Sequence, residues 1–158
     1  MQKYLVTLLV IASLAFPSLV MAQGFDIRKA RWGMTRTEVV ASEKGTTSKR
    51  QRDASGMIVF DDIMFENSAT IAYAFDKKTD LLESVTILLY QNNSKSASAF
   101  FDALDSSLKK AFRPVEDAKI SPADLKLLKV YENNRTRVTL TNIFKKEKML
   151  SLRFAELK

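Results

Sequence analysis

Asp61, Asp62 and Glu66 lie close together in the chain, and Asp76 and Asp80 bracket a short polar stretch. Carboxylates grouped in this way can bind a hard cation or share acid–base work. The spacing and the glycine of a calcium loop are absent. Turn and bulge geometry accounts for the same residues as well as ligation does, and no other group converges on them. The chain has no His and no Cys. That excludes disulfides, thiol nucleophiles, Cys/His zinc sites, haem ligation by His and Ser-His-Asp chemistry. No G-x-S-x-G segment occurs either. Among the basic residues, Lys44, Lys49, Arg50 and Arg52 crowd one polar stretch, and Lys145, Lys146 and Lys148 another. Such clusters can hold phosphate-rich partners, including anionic envelope lipid or polymer and nucleic acid. They lack interleaved aromatics, so a single-strand nucleic-acid reader is not expected, and a solvated loop is their commoner origin.

These residues belong to a chain of 158 with 25 Lys+Arg against 18 Asp+Glu, a net charge of +7 and 46% hydrophobic residues. That is one domain with enough apolar material for a packed core. Residues 1–22 read as an address and not as fold. Lys3 is followed by an apolar run from Tyr4 to Phe16, then Pro17-Ser18, then Val20-Met21-Ala22 before Gln23. This is the three-part layout of a cleaved secretory signal peptide. The run is broken too early for a spanning helix, and no Cys is present to take a lipid. Residues 23–158 are then expected to form a single domain in the periplasm or outside the cell, with no cofactor and no metal.

Thr35-Arg36-Thr37-Glu38 has capping-box spacing, with Met34 and Val39 placed as the flanking apolar staple. It predicts a helix over 36–44 that ends at Gly45. Residues 45–56 read as an exposed basic loop. The period then changes to two. Ile58 and Phe60 share one parity and Ile63 and Phe65 the other, so a bulge or break is expected at Asp61-Asp62. Ile71, Tyr73 and Phe75, then Val85, Ile87 and Leu89, flank a short polar turn as in an antiparallel hairpin. Apolar residues Ala97, Phe100, Phe101, Leu104, Leu108, Ala111 and Phe112 make one stripe of a helix over 95–112, which Ser94 can cap and Pro114 stops. Three strands fit the remainder, at about 126–132, 136–144 and 148–155. The order α-βββ-α-βββ implies an α+β fold, a two-layer sandwich of mainly antiparallel sheet with two helices on one face. The two halves share an element order without a residue-level repeat.

With Ile71, Tyr73, Phe75, Val85, Ile87, Leu150, Leu152 and Phe154 turned to the helices, the other face carries Ala72, Ala74, Ser84, Thr86, Leu88, Tyr90, Arg137, Thr139 and Arg153. That face is either solvated or a docking surface anchored by Tyr90, Arg137 and Arg153, since Tyr and Arg are favoured at interfaces. An exposed strand edge is a second route to a partner. Trp32, beside the first helix, is expected to pack on the sheet.

The segment Phe25 to Val39, with Arg31-Trp32-Gly33-Met34-Thr35 and Glu38-Val39, resembles the opening of a group of small, uncharacterised bacterial exported proteins, "RWGM-(S/T)-xx-EV". Tyr73-Ala-Phe75, Phe112-Arg-Pro114 and Thr136-Arg-Val-Thr-Leu140 are similar to later short motifs of that group. Tyr131 stands where a Trp is often seen, and Arg113 where a Gly is usual. More distantly, Gly33-Met34-Thr35 and Glu38-Val39 followed by strands resemble the domain of the outer-membrane-assembly lipoproteins and of the β-lactamase inhibitor proteins. That likeness implies a protein-binding role without catalysis.

The expected function is therefore a non-catalytic periplasmic or secreted protein-binding module of the bacterial envelope, its partner an envelope protein. The alternative is an electrostatic binder of anionic envelope lipid or polymer through Lys49, Arg50 and Arg52. A metal-assisted hydrolase built on Asp61, Asp62 and Glu66 ranks below both.

Overall fold

The computed structural model of the protein describes residues 28–44, 49–50, 56–91, 94–115, 128–143 and 149–158, with Lys49, Arg50 and Ser94 described by their backbone alone. Residues 1–22, expected from sequence to be a signal peptide, together with Gly45, Arg52, the Ser94 cap and the lysines at 145, 146 and 148, lie outside the described residues.

Helix α1 spans Arg36–Ser42. Its start is the capping box expected from the sequence. The Glu38 amide donates to Thr35 Oγ1, and the Thr35 amide donates to Glu38 Oε2 at 2.8 Å. These bonds to the charged form hold the Glu38 carboxyl below its ordinary pKa. Gly33, at φ +88, makes the turn that precedes the helix. The strands are β1 (Lys49–Arg50), β2 (Met57–Met64), β3 (Asn67–Phe75), β4 (Leu82–Tyr90), β5 (Arg113–Pro114), β6 (Leu128–Glu132), β7 (Thr136–Asn142) and β8 (Met149–Glu156); helix α2 (Ser94–Ala111) separates β4 from β5. The architecture is α+β: a mostly antiparallel sheet with two helices.

The strand order is β1-β2-β3-β4-β8-β7-β6-β5. Consecutive strands form meanders, and the two meanders join where β4 pairs antiparallel with β8. The ladder registers fix the faces. Ile71 lies opposite Ile87, Ile87 opposite Leu152, and Leu152 opposite Leu140. Tyr73, Val85, Phe154, Val138 and Tyr131 form the parallel row. All of these are buried in one core cluster, together with Val39 of α1 and Phe101, Leu104 and Leu108 of α2. Trp32 packs against that cluster, and its indole N–H donates to Thr136 Oγ1 at 2.9 Å. Among the described residues no helix is long and apolar enough to cross a membrane.

Three expectations need correction. The break at Asp61-Asp62 does not exist: β2 and β3 pair without interruption from Met57–Ala74 to Met64–Asn67. The slip in hydrophobic phase arises because Ile63 points away from the core and is 74% exposed, while Phe65 lies in the turn. The irregularity sits instead between β3 and β4, at Ala74/Phe75. Lys49 and Arg50 are not loop residues. Their backbones form β1 against Asp61 and Phe60, a pairing that needs no apolar side chain. With the equally short β5, each helix is followed by four strands and not three among the described residues.

Candidate docking face

Alternation along β3, β4, β8 and β7 sets a second row of residues on the face opposite the core. Ala72, Thr86, Arg153 and Thr139 are successive ladder partners across the sheet, and Val130 of β6 follows them. The next row runs Ala74, Ser84, Ala155, Arg137 and Glu132, with Arg113 of β5 beyond. Leu88 faces Ser151, and Tyr90 faces Met149, in the rows on the other side of Arg153. The three residues singled out from sequence are therefore on one face. Tyr90 is 42% exposed, and Arg137 and Arg153 are both exposed. Ser84 departs from the expected exposed face. Only 6% of its surface remains accessible.

The two arginines differ in their electrostatics. Arg137 donates through Nε to Glu132 Oε1 at 2.5 Å, across the β6–β7 pair. Arg153 stands on a central strand between Thr86 and Thr139 and makes no ion pair among the described residues. It is diagonal to Arg137, a placement that separates Cα atoms by roughly 7–8 Å. Lys49 and Arg50 lie at the far edge in β1, away from these residues in the strand order. Arg52 falls outside the described residues.

The carboxylates do not come together. Asp61 and Asp62 are consecutive on β2 and face opposite sides of the sheet. Asp61 accepts the Thr70 hydroxyl at 3.0 Å, whereas Asp62 pairs with Arg28 Nη2 at 2.7 Å. Glu66 is in the β2–β3 turn. Asp76 ties its own turn, accepting from the amides of Lys78 and Thr79, and meets Lys158 Nζ at 3.0 Å. The lysine and these amides hold its carboxyl well below the usual range. Asp80 pairs with Arg36 at 2.5 Å, and that guanidinium lies 4.4 Å above the Phe75 ring. Among the described residues no three acidic groups gather as metal ligands would.

Two buried polar clusters were not foreseen. Glu43, at the end of α1, takes Arg28 at 3.1 Å and the Tyr73 hydroxyl. Burial opposes the Arg28 charge, but its bonds to Glu43 and Asp62 outweigh that cost and raise its pKa. Burial, and then the bond to Glu43, push the Tyr73 hydroxyl upward. On α2, Asp105 accepts from Lys129 at 2.8 Å, Lys109 at 2.9 Å and the Tyr131 hydroxyl. The one signal available beforehand was position: Asp105 borders the apolar stripe, one residue from Leu104. Both clusters join a helix to the sheet.

Compared with known proteins, the chain matches no family model, no curated protein and no solved structure.

Proposed function

We propose that this chain is a non-catalytic protein-binding module of the bacterial envelope, periplasmic or secreted after loss of a signal peptide at 1–22. In this reading the domain is a two-layer sandwich with both helices against one face of the sheet, and the other face docks an envelope protein. The observation that carries it is Arg153: an exposed arginine, unpaired among the described residues, on a central strand, with the exposed ring of Tyr90 on the same face. Tyr and Arg are the residue types that most often anchor interfaces. The resemblance to small exported proteins with an RWGM-type opening, and more distantly to the lipoprotein and β-lactamase-inhibitor domains, points the same way.

The alternative, binding of anionic envelope lipid or polymer through Lys49, Arg50 and Arg52, draws on the net charge of +7. Salt separates the two. Tagged protein captured from crosslinked native envelopes is expected to retain one reproducible protein partner through a high-salt wash, and an Arg153→Glu variant to lose it. Recovery of only salt-labile lipid or polymer, unchanged by Arg153→Glu, would overturn the protein-docking reading in favour of the basic segment.

A further inference from the structure

The free face is polarised in a way that specifies its ligand. Among the described residues its arginines are Arg113, Arg137 and Arg153; Glu132 is beside them and already occupied by Arg137, and Asp61 of β2, on the same face, lies three strands from Arg153 and accepts the Thr70 hydroxyl. The Thr86 and Thr139 positions flanking Arg153 bring hydroxyls, which donate to an anion as readily as they accept. A guanidinium offers a planar fork suited to a carboxylate, and lysine offers none. Tyr90 lies four residues from Thr86 on the same strand and the same face, about 13 Å away at the usual rise. Between them on the same strand and face stands the half-buried Leu88, with Thr70 and Ser151 as its ladder partners, so an extended chain would lie along Leu88 with short side chains on either side.

We propose that this face takes an extended acidic segment of a protein partner, with a carboxylate held by Arg153 between Thr86 and Thr139 and an apolar side chain four residues away set against Tyr90. The proposal rests on the docking-face reading and adds the chemistry of the partner. In an extended segment, positions i and i+4 point the same way, which matches the spacing of the two anchors.

The test uses two capped, threonine-rich nonapeptides with Phe at position seven, identical except for Glu or Lys at position three. Each is titrated into the purified, isotope-labelled protein while backbone amide shifts are followed. The Glu peptide is expected to give saturable shifts at Thr86, Arg153 and Thr139, and to bind about tenfold or more tightly than the Lys peptide. Arg153→Glu should reverse that preference, and Arg153→Lys should weaken it in part. Tyr90→Ala should lower affinity for both peptides. Equal binding of both peptides on this face would overturn the carboxylate assignment and leave the docking face standing. No shift on this face at millimolar concentration of either peptide would overturn both.

Discussion

Asp105 shows how a single carboxylate can join a helix to a sheet. Its oxygens receive Lys129, Lys109 and the Tyr131 hydroxyl, three donors from α2 and β6. Burial alone would raise its pKa. The bonds to Lys129, Tyr131 and Lys109 prevail and lower it to about 2. A folded-state pKa below the unfolded value means that the stabilisation is present above pH ~4 and is lost as the pH falls from about 4 to about 2. The full linkage value would be above 2 kcal/mol; both lysines are partly solvent-exposed, so about 1–2 kcal/mol is expected. Urea midpoints measured from pH 6 to pH 2 should decline through this window. In Asp105→Asn the decline between pH 4 and pH 2 should be shallower by that amount. An identical decline in the variant would show that Asp105 is not the titrating group. The Glu43 cluster couples α1 to β2 and β3 by the same logic, with Arg28 and Tyr73 as its donors.

The β2–β3 hairpin turns on Phe65 and Glu66, at φ 52° and 62°. Positive φ at both central residues is the type I′ form, which matches the twist of the strands and favours Asn-Gly. For residues with a Cβ that conformation costs about 1–2 kcal/mol each. The Phe65 ring recovers part of this against Phe100 of α2, at 5.3 Å between centroids. Glu66→Gly removes the strain and leaves that contact intact. It is therefore expected to raise stability by about 1 kcal/mol, seen as a higher melting temperature; a lower one would refute the strain. The same hairpin marks the limit of what periodicity reveals. The alternation of Ile71, Tyr73 and Phe75, and of Val85, Ile87 and Leu89, reports the core face directly, because one side of each strand is apolar. It also places Tyr90, Arg137 and Arg153 together on the other face. Ile63 defeats the same rule, since an exposed isoleucine is indistinguishable in sequence from a buried one out of phase. β1 has no apolar residue to reveal it. The inward carboxylates Glu43 and Asp105 bond to tyrosines 30 and 26 residues away, and no local pattern encodes such a pairing.

At the scale of the whole molecule, the element order of the first half recurs in the second, and the strand order reads outward from the β4–β8 pair in both directions. Such an arrangement could behave as two units that merely adjoin. The bonding argues otherwise. Trp32 in the opening segment donates to Thr136 on β7, 104 residues on, while the Leu82 amide donates to the Met34 carbonyl at 2.8 Å. Lys158 near the chain's end reaches back to Asp76 in the β3–β4 turn. The seam itself is apolar on its core side, where Val85 meets Phe154, Ile87 meets Leu152 and Leu89 meets Leu150. All six are buried, and they belong to the one cluster that runs from Ala30 to Phe154. A core shared in this way cannot be lost from one half while the other keeps its inner wall. Unfolding is therefore expected to be a single step, with calorimetric and van't Hoff enthalpies equal. Leu152→Ala, which opens a cavity between Ile87 and Leu140, should cost about 2–5 kcal/mol. It should also lower the hydrogen-exchange protection of β3 and β7 amides together, since both strands lean on the seam. Two resolved calorimetric transitions, or a loss of protection confined to β7, would mean that the halves fold independently and that the β4–β8 pair is an interface between them.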